Sequence, residues 1–273
     1  MNNNLAINFS NYFSDIKYGT AAYAYTFNNR GNTLHFGLSY IDYGKFSGYD
    51  EQGNPTNDFT GKESAFSIGY SSKINYLPIY VGLNLRLITS SLEQYNSIGI
   101  STDIGVLYIN SEMNLNIAMV IRNFGTQIKA YNDIYESLPF EIDIGVSQLL
   151  ENAPVRWYLT FENVQKWNIA LSNPSRLTTD LDGNITQEKV TFFNNVFRHL
   201  VIGAELFPES VFNIRLGYNF KRGEELKIID QSNFSGLSFG FGMKFNKLRI
   251  NYTHAKFSSA ANTSFIGLQL NLN

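Results

Sequence analysis

Apolar and polar residues alternate along most of this chain, and helical spacing is hard to find. Over residues 79–87, Ile79, Val81, Leu83, Leu85 and Leu87 alternate with Tyr80, Gly82, Asn84 and Arg86. Residues 98–108, 140–147 and 212–221 repeat the period: Ile144 and Val146 oppose Asp143 and Gly145, and Leu216 and Tyr218 oppose Arg215 and Gly217. Such segments are strands with one apolar face. The reading predicts fourteen of them, over 4–12, 18–27, 33–43, 63–72, 79–89, 97–109, 114–123, 140–149, 155–163, 198–207, 211–221, 236–245, 247–257 and 263–272.

The connections alternate in length. Short joins fall near 28–32, 73–78, 110–113, 150–154, 208–210 and 246. Long ones fall near 44–62, 90–96, 124–139, 164–197 and 222–235, and 13–17 and 258–262 belong to the same series although shorter. Short turns at one end, long loops at the other and an even strand number describe a transmembrane antiparallel up-and-down β-barrel of the bacterial outer membrane. The whole chain, 1–273, reads as one such all-β domain. A soluble β-sandwich also alternates, but its solvated face carries more Lys and Glu than this one. Here the polar face is rich in Gly, Ser, Asn and Thr, with charges of both signs, as a filled lumen requires. Tyr23, Tyr25, Phe27, Tyr40, Tyr43, Tyr108, Trp157, Phe161, Tyr218 and Phe220 collect near strand ends, where headgroup-level aromatic girdles belong.

Composition narrows the classes further. The 273 residues contain 44% apolar and 15% aromatic residues but only 16% charged ones, below the roughly 25% of an average soluble domain. A net charge of −2 supplies no global attraction to nucleic acid. The absence of cysteine excludes disulfides, CxxC redox chemistry and thiolate metal sites. No apolar run approaches the ~18 residues of a membrane helix. The segment after Met1, Asn2, Asn3 and Asn4 lacks the basic and apolar regions of a signal peptide. Taken literally this is a cytoplasmic start; the strand pattern instead implies an exported chain whose leader and N-terminal segment are missing.

Candidate chemistry is sparse. His35 and His199 are expected on the polar faces of different strands, and His254 near an interface; no nucleophile accompanies them, so the chain is read as a non-enzyme with no catalytic residue, cofactor or metal. Glu141 and Asp143, two apart, share a face. They are expected to pair with Arg122 or Arg156, within a polar lumen network that includes Arg86, Asp103 and Arg215. Asp180 and Asp182 with Gly183 and Asn184 only faintly resemble a calcium loop, and a tight turn accounts for them. Gly240 and Gly242 are lumen glycines, since no helix follows them to make a phosphate cradle. In the longest loop, Trp167, Phe192 and Phe193 are candidate anchors for a protein partner, or alternatively fold over the barrel mouth.

Several stretches resemble PorQ, an outer-membrane barrel of the type IX secretion system of Bacteroidota, in the PorV family and more distantly FadL-like. They are Tyr40–Phe46 (YIDYGKF), Leu92–Ser97, Leu138–Ile142, Asn152–Pro154, Arg215–Phe220 continuing to Arg222–Leu226, and Gly236–Gly242. The resemblance runs in order along nearly the whole chain. It departs in the missing leader and N-terminal segment, and in a chain that ends Leu272-Asn273 rather than on an aromatic. The resemblance implies a non-enzymatic anchor holding a PorZ-like surface protein of the attachment complex, with PorU and PorV nearby and lipid and lipopolysaccharide around the barrel. The competing expectation is a FadL-like transporter of hydrophobic small molecules.

Overall fold

The computed structural model describes residues 3–12, 16–27, 31–132, 134–170, 178–179, 185–186, 190–225, 234–256 and 262–272. Sixteen strands are present among them: β1 (Asn4–Asn11), β2 (Lys17–Thr26), β3 (Thr33–Phe46), β4 (Phe59–Lys73), β5 (Ile79–Leu92), β6 (Tyr95–Asn110), β7 (Leu115–Lys129), β8 (Glu141–Leu149), β9 (Val155–Phe161), β10 (Thr178–Thr179), β11 (Ile185–Thr186), β12 (Leu200–Leu206), β13 (Phe212–Asn219), β14 (Leu237–Phe245), β15 (Leu248–Lys256) and β16 (Asn262–Asn271). Two short helices join them, α1 (Phe192–Arg198) and α2 (Phe220–Glu225). Fourteen strands close into an antiparallel barrel in chain order, β1 pairing with β16 along Asn4↔Asn271 to Asn11↔Ser264, while β10 and β11 form a separate two-residue hairpin. Closure leaves no open sheet edge within the ring, the condition for strands to cross lipid.

The period-two pattern dictates which way the wall faces. Opposed residues in register point to the same side, so Leu83↔Ile104, Met119↔Ile144, Leu159↔Ile202 and Leu216↔Phe239 carry one apolar surface around the ring. Its members are exposed, among them Ile7, Phe36, Ile68, Leu83, Ile104, Ile144, Ile202, Leu216 and Phe239. In water such a surface would far exceed the apolar patch of an ordinary monomer; lipid is its solvent. Conversely, fully apolar buried residues are few, and the buried positions include Ser10, Ser101, Asp143, Asn213 and Thr263. The barrel is apolar outside and polar inside.

The five strands β3–β7 have 14–16 residues, whereas the rest of the barrel has 7–10. The extra length stands at the long-loop end. There the outward positions change from Phe66, Leu87 and Ile100 to Lys62, Ser64, Thr89, Ser91 and Asn96. This change of polarity marks where lipid ends, and beyond it the five strands continue as a raised wall. On the inner face of the wall, Ser90 donates to Glu63 at 3.2 Å and bonds Tyr131, and Ser97 donates to the Lys129 carbonyl at 2.9 Å. Tyr131 and Glu136 lie against this face, the Glu136 N–H donating to the Gln127 side chain at 2.8 Å.

The wall corrects three expected loops. β3 and β4 advance into 44–62, leaving 47–58 between them; 90–96 is a tight turn at Glu93 and Gln94; and β7 extends through Lys129. Outside the lipid both faces of a strand meet water, so the polarity contrast that revealed the strands vanishes. Tyr43, expected in a girdle, faces inward beside Gly61, where an added Cβ would lie 3.3 Å from its ring. Tyr25 and Phe27 do stack, at 6.3 Å between centroids.

Candidate functional site

Two clusters of the lumen are built to one plan. In the first, Arg86 on β5 ion-pairs with Asp103 on β6, and Asn84 donates to the same carboxylate at 3.1 Å. β7 carries a bulge here: Thr102 pairs Phe124 and Ile104 pairs Ile121, so Asp103 faces two residues, Arg122 and Asn123. Asn123 adopts a left-handed backbone, φ 56°, which asparagine tolerates better than most residues. Its N–H is thereby aimed at Asp103 (3.0 Å), and its side chain accepts from Arg86 (3.2 Å) and donates to the Pro139 carbonyl (2.9 Å).

The second cluster repeats this arrangement two strands further on. Arg122 on β7 donates to Asp143 on β8 at 2.6 Å and lies 3.7 Å from Glu141. Asn163, just past β9, is again left-handed at φ 57°; its N–H donates to Asp143 at 3.1 Å and its side chain to Glu141 at 3.1 Å. An arginine, an aspartate and a left-handed asparagine thus come from successive strands, and β7 serves both sets, giving Asn123 to one and Arg122 to the other. A carboxylate held by an arginine and a backbone N–H receives charge-assisted bonds, about twice as strong as neutral ones.

A third cluster lies further round the ring, on β9, β12, β13 and β15. Arg215 on β13 donates to Asn213 at 3.1 Å, bonds Asn251 on β15, and stands 3.6 Å from Glu205 on β12, which accepts from Tyr158 at 2.7 Å. Of the expected network residues, Arg86, Asp103, Arg122, Glu141, Asp143 and Arg215 therefore fall into three carboxylate–arginine groups. Arg156 stands opposite Glu205 in the β9–β12 register, and its guanidinium lies 3.3 Å from the Asn116 amide. Glycines keep the space these groups need: a Cβ on Gly242 would meet the Arg215 guanidinium at 2.5 Å and Asn213 at 2.7 Å.

At the outer end on the short-strand side, α1 packs against α2, and α2 against β12 and β13. Thr191 caps α1, its hydroxyl accepting from the Asn194 N–H at 3.3 Å, the usual service of an N-cap threonine. His199 does not lie on a strand face as expected. It caps the C-terminus of α1, fully buried, with ring nitrogens 2.6 Å from the Glu162 carbonyl and 3.0 Å from that of Trp167. Its ring stacks on Phe161 (5.0 Å) and Trp167 (5.6 Å). Both ring nitrogens are occupied by backbone, so the residue fastens the loop to the barrel. Trp167 also packs on Phe192 (5.1 Å), and Phe192 edge-on against Phe193 (5.7 Å), so the three expected anchors form one cluster. His35 lines the lumen beside Gly37 and Gly69, and His254 faces outward, bonded to Ser264 at 3.1 Å. Asp180, Asp182, Gly183 and Asn184 lie outside the described residues.

Past the rim, Asp50 organises the 47–58 loop, accepting from the Gln52 N–H at 3.0 Å and from both nitrogens of Asn54 at 2.8 and 2.9 Å. These bonds, the Asn54 side chain's first, hold its carboxyl below the ordinary aspartate range.

No protein-family model and no curated protein matches this chain. Solved structures do. A deltaS2 mutant of the TodX monoaromatic hydrocarbon channel aligns over 98% of this chain and 87% of its own at 11% identity and a TM-score of 0.50. A FadL homologue of Pseudomonas aeruginosa aligns over 98% and 89% at 9% identity and a TM-score of 0.48. The KdgM porin aligns over 99% of both chains at 8% identity and a TM-score of 0.41. The apolar belt, the closed fourteen-stranded ring and the TodX alignment together define the class: this is an outer-membrane β-barrel, and its place is the bacterial outer membrane.

Proposed function

We propose that this chain is a non-enzymatic anchor of the type IX secretion system, holding a PorZ-like surface component of the attachment complex, as its resemblance to PorQ implies. The raised wall carries this reading. β7 pairs with β6 as far as Lys129 but with β8 only as far as Arg122, so residues 123–129 form a border of the sheet that rises from the level of Thr102 into the raised wall at Lys129. Such an edge accepts an added strand from a partner. A groove of about 460 Å³ runs beside it, lined by Phe124, Gly125, Thr126, Tyr135, Leu138 and Phe140. Phe124 and Tyr135 are exposed there, and aromatic anchors of this kind dominate protein interfaces.

The FadL-like transporter is the rival. It shares the fold of TodX, but a carrier of apolar molecules needs an apolar passage, and the described lumen wall carries the three ionic clusters. The two readings separate experimentally. Isolated from native outer membranes, the intact protein is expected to bring a large surface protein with it. Phe124→Ala combined with Tyr135→Ala is expected to lose that protein while the barrel remains folded. Uptake of monoaromatic or fatty compounds by vesicles holding the pure barrel, with no surface protein recovered, would overturn the anchor.

A further inference from the structure

The helix α1 is built inside out. Phe193 and Phe197, four residues apart on one face, are 70% and 50% exposed, and Phe192 on their flank is 64% exposed. The opposite side, Asn195 and Arg198, is buried. Asn195 accepts from the Ala170 N–H at 3.1 Å, and Arg198 stands 3.6 Å from Glu225 on α2. A helix on a water-exposed surface turns its polar side out; this one turns its phenylalanines out and its arginine in.

Its position explains the inversion. The helix runs directly into β12, between β9 and β13. These three strands have 7, 7 and 8 residues, short of the ~9–11 that a membrane strand needs. Seven residues rise about 23 Å along the strand and, tilted by ~45°, cover about 16 Å. The apolar band of an outer-membrane barrel is ~25 Å tall. The shortfall, about 9 Å, is close to the ~10–12 Å thickness of a helix lying flat. The aromatic contacts are continuous with the lipid-facing surface. Phe161, outward at the end of β9, stacks on His199; Tyr218, outward at the end of β13, meets Phe220 at 5.0 Å, and Phe220 meets Phe197 at 5.6 Å.

From this we infer that α1 lies in the outer leaflet and completes the lipid-facing wall where β9, β12 and β13 fall short, with Phe193 and Phe197 at the headgroup–acyl boundary. The occupant of this face is lipid. Trp167 and Phe192 then belong to the interfacial girdle, where amphipathic aromatic rings collect. The inference needs only an outer-membrane barrel, and it stands whether or not the raised wall holds a partner.

The absence of cysteine allows a direct test. Phe193→Cys and Phe197→Cys, each spin-labelled in the full chain refolded into phosphatidylcholine–phosphatidylglycerol vesicles, report collisions with oxygen, which concentrates in lipid, and with a water-soluble nickel chelate. Leu83→Cys marks the lipid face and Gln52→Cys the aqueous loop. The labels at 193 and 197 are expected to follow Leu83, favouring oxygen several-fold over nickel. Nickel access equal to that at Gln52 would overturn the inference and return this face to a protein partner. Should the cysteine variants fail to fold, Phe193→Trp in a Trp157→Phe, Trp167→Phe background supplies the same answer. Its fluorescence is expected to be quenched by brominated phosphatidylcholine, and unquenched emission would refute the placement.

Discussion

Arginine at Leu83 or Leu216 is expected to cost about 2–4 kcal/mol of barrel stability, enough for either change alone to remove much of the folded fraction. Both residues sit mid-strand on the outward face, 46% and 50% exposed, so a guanidinium there must be desolvated in hydrocarbon or drag water and headgroups inward. Leu83 lies opposite Ile104 on β6, whereas Ile144 and Leu216 are on other strands. Arginines at Leu83, Ile144 and Leu216 should therefore add, and the triple variant is expected not to assemble at all. Asn96→Arg is the matched control. It stands on the same outward face of β6, but beyond the change of polarity that marks the edge of the lipid, and its cost should be about 0–1 kcal/mol. Folded fraction in vesicles, read by gel mobility without heating and by urea midpoint, compares them. If Leu83→Arg behaves like Asn96→Arg, the apolar face does not meet lipid.

The same boundary explains what could be read in the sequence. Alternation is visible only where one side of a strand meets hydrocarbon and the other does not, and within that band every barrel strand could be located. Above it, Lys62, Ser91 and Asn96 face water as Ser90 faces the inside of the wall. No contrast remains there, so 44–62 and 90–96 read as loops although the ladders continue into them. α1 was hidden differently. Phe192, Phe193, Val196 and Phe197 have helical spacing, but the run spans only seven residues and enters a strand directly. α2 was hidden by Tyr218 and Phe220, which prolong the alternation of β13 by one step into the helix.

The lumen network was half legible for a comparable reason. Neighbouring strands and a shared face suffice to bring Arg122 to Glu141 and Asp143. The asparagines that complete each cluster act through backbone N–H groups, and those point at the carboxylates only because Asn123 and Asn163 are left-handed. A period-two reading assigns side chains to faces and carries no information about where an N–H is aimed. A register of the β6–β7 pair would have revealed the bulge, since Asp103 is the residue it leaves facing two partners.

Asp103→Ala should therefore remove more than one ion pair. The carboxylate accepts from Arg86, Asn84 and the Asn123 N–H, and its loss strands a guanidinium, an amide and the backbone donor of a residue held left-handed. Truncating one member of a fully buried pair costs ~3–5 kcal/mol. The Arg86 side chain keeps 29% of its exposure and the Asp103 side chain 14%, and water reaching the lumen softens the penalty, so about 2–4 kcal/mol is expected. Asp103→Asn retains an acceptor for the Asn123 N–H and should lose less. In an Arg86→Ala background Asp103→Ala should also cost less than it does alone, and that difference measures the coupling. Urea midpoints of the four proteins, followed by the fluorescence of Trp157 and Trp167, close the cycle. Equal costs in the two backgrounds would mean that arginine and aspartate are merely neighbours, and that the left-handed asparagine gives the bulge its hold on Asp103 unaided.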